Sequence, residues 1–293
     1  LYVSDFTGLF REINLRNWFK GIFFFVLSIC IGIEGNAQLV PRADLSVDLG
    51  YYFFHKSKAF RQLYMFESEW DAYITLFSAG DNFSFHFDPK VIVGQSRSPY
   101  GLIFHPEDVS YGLITYGEYK TKLFYCLLGL DHSCFHGVDA KRHEPYYWNK
   151  IMTGLRSENY MGTDFINGIL DGSDVSLKDR FAWSFIWAWY AREFFDIVEK
   201  SKIMTPYIDN YHDFEFRVKA AVFYKKNFVL SVNGTTLLGV DVNGNFYGRQ
   251  VTELDADFKC KNFVSSVYAV YYLDKKWFYS KDRLFEIGVK FEK

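Results

Sequence analysis

Between Asp213 and Asn233 the side chains alternate in character with a period of two. Phe214, Phe216, Val218, Ala220 and Val222 fall on one face, with Asp213, Glu215, Arg217 and Lys219 on the other. That period belongs to a β-strand. A polar turn, Lys225-Lys226-Asn227, follows, and the alternation then resumes with Phe228, Leu230 and Val232 against Val229, Ser231 and Asn233. The unit is a hairpin with a continuous apolar side and a mostly polar side. A half-buried strand in a soluble protein also alternates, but its polar face meets bulk water and rarely needs so strict a ladder of both charge signs. Repeated along a chain, such alternation predicts a transmembrane β-barrel, apolar outside and wet or salt-bridged inside.

The rest of the chain agrees with that expectation. Aromatic residues make up 21% of it, with 32 Phe and 22 Tyr against 6 Pro, a bias that favours strands and membrane-interface girdles. A formal charge of −2 gives no reason to expect a nucleic-acid partner. Residues 1–37 read as an N-terminal extension and signal peptide. Arg11, Arg16 and Lys20 precede the apolar run from Gly21 to Ile33, and Gly35 and Ala37 supply small residues before a cleavage site at Gln38. That run is about 13 residues, against the roughly 20 that a spanning helix needs. Leu27-Ser28-Ile29-Cys30 is near a lipoprotein signal, but Ile29 is too bulky for the position before a lipidated Cys. Residues 38–293 form the expected barrel. They retain Cys126, Cys134 and Cys260, an odd number that argues against a disulfide framework. In the aromatic-rich middle the longest run without a charge, Phe181 to Ala191, is too short for a membrane helix. Only closure of a sheet then satisfies every backbone group in lipid.

Strands are expected at Ala43–Phe54, Trp70–Ala79, once within Asn82–Phe104, and at Val109–Tyr119, Thr121–Asp131 and Tyr147–Ser157. Arg180–Arg192 reads as a strand rather than a helix, because Trp183, Phe185, Trp187 and Trp189 alternate strictly. The hairpin at 213–233 follows, then Gln250–Lys261, Phe263–Leu273 and Arg283–Glu292. The total is about 12 strands, an even number as single-chain bacterial barrels require. With periplasmic termini, Lys225–Asn227 and Lys261–Phe263 become periplasmic turns, and 193–211, Asp241–Gln250 and 274–282 become external loops. Met161–Asp179 falls on the periplasmic side and is long for it, so either it carries a short helix or the register is off by a strand.

The last strand sets Phe285, Ile287, Val289 and Phe291 against Glu286, Gly288 and Lys290. It resembles the terminal signal by which bacterial outer-membrane barrels are recognised for assembly, although Phe291 is third from the end. That resemblance implies outer-membrane lipid and the barrel-assembly machinery as partners, a Gram-negative-type outer membrane as the location, and a monomer.

Charged residues on the inward parity include Asp213, Glu215, Arg217, Lys219, Glu253, Asp255, Asp257 and Lys259, together with Asp44, Asp48, Asp71, Lys150, Arg156, Arg180, Arg192, Glu286 and Lys290. Near balance of sign predicts an ion-paired lumen, structural or serving passive transport. The densest candidate site is His132-Ser133-Cys134-Phe135-His136-Gly137-Val138-Asp139, expected at the rim where the fifth strand ends at Asp131. His132, His136 and Asp139 resemble a strand-end motif of an uncharacterised family of outer-membrane barrels, and that resemblance implies a location more than a reaction. Three readings stand beside it. His132, His136 and Asp139 are candidate ligands for a divalent metal. Ser133, His136 and Asp139 are the candidate catalytic set of an outer-leaflet lipid hydrolase, which would resemble outer-membrane phospholipases and lipid A deacylases. A hydrogen-bonded polar rim needs neither. Strand parity turns Ser133 away from His132. No phosphate-cradling loop or other cofactor motif is present in the sequence.

Overall fold

In a computed structural model, the structure describes residues 37–38, 42–53, 66–96, 105–137, 146–171, 175–190, 210–241, 243–275 and 284–293. Strand β1 is the short Ala37–Gln38 piece, followed by β2 (Arg42–Phe53), β3 (Phe66–Ala79), β4 (Phe83–Ser96), β5 (His105–Lys120), β6 (Tyr125–Gly137) and β7 (Tyr146–Arg156). After helix α1 (Asp164–Leu170) come β8 (Phe181–Tyr190), β9 (Asn210–Lys225), β10 (Phe228–Asp241), β11 (Phe246–Lys259), β12 (Val264–Lys275) and β13 (Phe285–Glu292). Each of β2 to β13 pairs antiparallel with its sequence neighbour, and β13 pairs with β2, so 12 strands close a barrel. β1 pairs with β3 through Ala37↔Ala79 and Gln38↔Ser78. No described helix is long and apolar enough to cross a membrane.

The parity read from sequence is the parity of the wall. Trp70, Leu113, Leu130, Phe185, Phe216, Leu254, Val267 and Ile287 are exposed, whereas Ser184, Asp213, Ser231, Asp255, Asp257 and Glu286 are buried. Hydrophobic side chains turned to the surroundings over buried charge invert the arrangement of a soluble protein. In β9 a bulge opposite Leu230 and Ser231 puts Val222 and Phe223 both on the outside, which ends the strict alternation there.

Several expectations need correction. β5 begins at His105, β6 at Tyr125 and β11 at Phe246, the last inside the loop expected at Asp241–Gln250. β3 begins at Phe66, not Trp70, which adds Glu67 and Glu69 to the inner face. Pro89 does not break its segment. It lies inside β4 opposite Leu113, while the ladder to β3 skips between Asp71↔Lys90 and Ile74↔Phe87, so the missing N–H falls in a gap. β6 runs on past Asp131 to Gly137, because Asp131↔Lys150, His132↔Asn149 and Ser133↔Trp148 keep pairing with β7.

The long connection between β7 and β8 carries a short helix, one of the two outcomes that its length left open. Phe165, Ile166 and Ile169 of α1 are buried against Ala182, Val229 and Val264, which begin β8, β10 and β12 on the inner face. The helix thus sits in the mouth of the barrel at the end with the short turns. Lys259 Nζ binds both oxygens of Asp171 at 2.6 Å, and Lys219 Nζ lies 5.1 Å from the centre of the Phe165 ring.

Candidate functional site

On the outer face of β6 the residues alternate as Cys126, Leu128, Leu130, His132 and Cys134, and their β7 neighbours run Leu155, Thr153, Ile151 and Asn149. Apolar side chains occupy the turn-end half of this patch, and the polar groups begin at His132 and Asn149. His132 Nδ1 lies 2.6 Å from Asn149 Oδ1. An amide oxygen only accepts, so Nδ1 carries the proton and donates it, which leaves Nε2 as the basic nitrogen. Cys134 follows two residues after His132 and shares its face, at roughly 7 Å along the strand. Its β5 neighbour is the exposed Tyr111. Thiol, imidazole and amide share this face, with the thiol hydrogen-bonded to the Tyr111 backbone on β5 and the imidazole to Asn149 on β7.

Ser133 takes no part in this cluster. Its hydroxyl faces inward and donates to Asp131 Oδ1 at 2.5 Å, and Lys150 binds Asp131 at 3.1 Å. His132 is therefore joined not by Ser133 but by a residue of the next strand. The side chain of His136 and all of Asp139 lie outside the described residues. Among the described residues no group of three His, Cys, Asp or Glu converges to hold a metal ion. Asn149 and Cys134 were missed as site residues. The spacing His132-x-Cys134 on one strand face was a usable signal, whereas the register that brings Asn149 alongside was not.

Inside, the charges named from sequence form pairs and hydrogen bonds. Tyr190 donates to Asp213 at 2.6 Å, Arg217 binds Glu215 at 2.6 Å, and Lys219 approaches Asp255 at 3.7 Å. Ser266 donates to Asp257 at 2.6 Å, and Lys290 binds Glu292 at 2.6 Å. Lys259 turns to Asp171 at the mouth instead, and Arg192 lies outside the described residues. A two-point inner pair joins Arg156 to Glu118 through bonds of 2.6 and 2.5 Å, both side chains buried, with the Arg156 guanidinium 4.0 Å from the centre of the Tyr125 ring. His86 Nε2 sits 2.7 Å from Ser84 Oγ and 3.5 Å from Glu118 Oε2. Carboxylate and hydroxyl share one ring nitrogen there, so this is a packing network and not a triad.

A cavity of about 520 Å³ occupies the lumen. Its lining is unbalanced rather than neutral: Asp44, Asp48, Glu67, Glu69, Asp71 and Asp88 crowd the wall made by β2 to β4. The excess arises because β3 starts early and Asp88 shares the inward parity of β4. Beside these, Tyr268 donates to Glu286 at 2.9 Å across Gly288. A Cβ at Gly288 would lie 2.1 Å from the Tyr268 hydroxyl, so only glycine lets the phenol cross there.

No family model matches the chain, and no curated protein matches its sequence. Solved structures do share its fold, and those similar to it are outer-membrane β-barrels. The outer-membrane phospholipase dimer of Salmonella typhi with bound calcium is 12% identical, with a TM-score of 0.51, covering 87% of this chain and 91% of that one. Outer membrane phospholipase A from Escherichia coli is 12% identical at a TM-score of 0.50, covering 89% and 94%. The KdgM porin is 8% identical at 0.44, covering 85% and 97%. The chain has the closed antiparallel architecture of outer-membrane barrels, and the outer membrane is the location that these structures suggest.

Proposed function

We propose that this outer-membrane barrel hydrolyses an ester bond of membrane lipid on its outward face, with Cys134 as nucleophile, His132 as general base and Asn149 as the group that orients His132. The observation that carries this reading is the 2.6 Å bond from His132 Nδ1 to Asn149 Oδ1 on a face turned to lipid. His132 Nε2 takes the thiol proton as Cys134 Sγ attacks the ester carbonyl carbon. The same proton then passes to the departing alkoxide, leaving an acyl thioester on Cys134. Water, deprotonated by His132, cleaves that thioester to a fatty acid and restores the thiol. The setting suits such a substrate, because His132 and Asn149 stand among outward apolar residues, with Leu130 and Ile151 one step below and Leu113 of β5 beside His132. Two solved barrels of the same architecture are named as phospholipases, and at 12% identity they carry the fold alone.

The wider setting is proposed with it. An export signal over residues 1–37, periplasmic short turns and termini, assembly by the barrel machinery and a monomeric state all fit the sequence pattern. With that orientation, His132 faces the outer leaflet. Purified barrel in detergent–phospholipid micelles should release free fatty acid, and Cys134→Ala or His132→Ala should abolish the release. Full activity in both variants would remove the proposal.

A second reading, passive transport, is favoured by the acidic cavity, whose excess of carboxylates suits a cation. Ion current through the wild-type barrel in the absence of any lipid turnover would select it.

A further inference from the structure

We infer that the connection between β7 and β8 is the gate of this barrel, with α1 as a hydrophobic stopper that must leave the mouth before anything passes through the lumen. Two inner cavities end on this connection. Met161, Gly162 and Thr163 line the 520 Å³ cavity, and Met161 and Asp164 line a smaller one of about 290 Å³. The wall is prepared for a stopper: three inward positions at the turn end, Ala182, Val229 and Val264, are small and apolar and pack directly on the helix. Phe165, Ile166 and Ile169 fill that seat with almost no exposure. Taken out of it, they would face water, so the helix has one strongly preferred position.

Arg156 anchors the start of the connection through the Ser157 and Glu158 carbonyls, and the ion pairs that hold the rest are of another kind. Lys259 holds Asp171, whose side chain is 65% exposed, and Lys120 holds Glu158, at 69%. Exposed pairs of this sort contribute little individually and weaken with salt. The strands around the seat are tied instead by continuous ladders and by the buried Arg156–Glu118 pair. Of the two, the helix is the part that can move while the wall stays closed. This inference does not rest on lipid hydrolysis. A helix seated in the mouth serves a catalytic barrel and a transporting one equally well.

The test is ionic current through single barrels in planar phospholipid bilayers, in potassium chloride. Wild-type barrel should stay closed. Phe165→Ser with Ile169→Ser should raise conductance at least tenfold, and the current should prefer potassium over chloride because carboxylates line the way. A disulfide between Asp171→Cys and Lys259→Cys, with Cys126, Cys134 and Cys260 changed to alanine, should hold the barrel shut when oxidised. Folding is checked by heat-modifiable migration. If the double serine variant does not fold, Asp171→Lys, which sets like charges together, gives the reading. A wild-type or oxidised barrel that conducts as well as the released variant overturns the gate. So does a folded, released variant that stays closed, since the block would then lie in the strand side chains.

Discussion

His132 and Asn149 meet across the β6–β7 ladder, 17 residues apart in sequence, with Nδ1 and Oδ1 separated by 2.6 Å on the barrel's outer face. In water such a bond would exchange freely. Against an apolar surround, an unpaired imidazole N–H costs more to leave unsatisfied, so the pair holds its geometry.

The amide's role separates orientation from nucleophilicity. Asn149→Ala should lower kcat for phospholipid by about 10²-fold or more while leaving KM nearly unchanged, because the imidazole loses its tautomer and direction, not its substrate. Asn149→Asp should restore part of the rate. Cys134→Ser should retain a measurable fraction, since the base remains to activate a hydroxyl. Fatty-acid release from mixed micelles measures all three, and an unchanged rate in Asn149→Ala would remove the amide from the mechanism.

Parity along β9 and β10 makes a stability prediction. Phe216 is outward and exposed, so Phe216→Arg should cost about 2–4 kcal/mol at mid-membrane depth. Thr235 lines the lumen, and Thr235→Asn should change stability by about 0.5 kcal/mol or less. Ser231 shares that inward parity but is fully buried near the seat of α1, so the lumen is not tolerant everywhere. Folding titrations in urea with lipid vesicles, followed by Trp fluorescence, give the comparison.

The buried pair of Arg156 and Glu118 predicts strong coupling. Glu118→Leu should destabilise by about 3–5 kcal/mol, because it strands a buried guanidinium. Adding Arg156→Leu should recover much of that loss. A double-variant loss equal to the sum of the two single-variant losses would show that the two side chains act independently.

Outside the strands, Asp179 predicts a pH effect confined to one turn. The Ser176 hydroxyl and amide hydrogen bond its carboxylate at 2.5 and 2.8 Å, holding its pKa below the ordinary 3.8. A depressed folded value means the stabilisation is complete above the unfolded pKa and is lost as pH falls through the folded one. Hydrogen exchange in 176–180 should therefore be independent of pH-driven opening at neutral pH and quicken relative to its intrinsic rate only below about 3.8. Asp179→Asn should show the loosened turn at every pH.

Export makes the last prediction. The mature chain should begin at Gln38, leaving Gln38 to pair with Ser78 at the start of the wall. Mass spectrometry of outer-membrane fractions identifies that terminus, and a lipidated Cys30 would exclude it.

The alternation of side chains is a local property, and for that reason the sequence alone determined the strands, their inward and outward faces and the short turns, while the length of the β7–β8 connection left a short helix and a slipped strand register both open. Lipid outside and buried charge inside leave one parity acceptable for each strand. Local pattern also misjudged where strands stop. Phe66 to Glu69 and His132 to Gly137 carry weak alternation and are strand because a neighbouring ladder continues beside them. Pro89 is tolerated for a similar reason, since its missing donor falls where pairing to β3 lapses. The tertiary structure decided what lies beside what. Ladder register set Asn149 against His132 and turned Ser133 to Asp131. Closure of the wall put the acidic residues of β2 to β4 around one cavity, and the apolar start of three separate strands made the seat for α1. Those juxtapositions depend on pairing summed over the whole barrel, which no local period encodes.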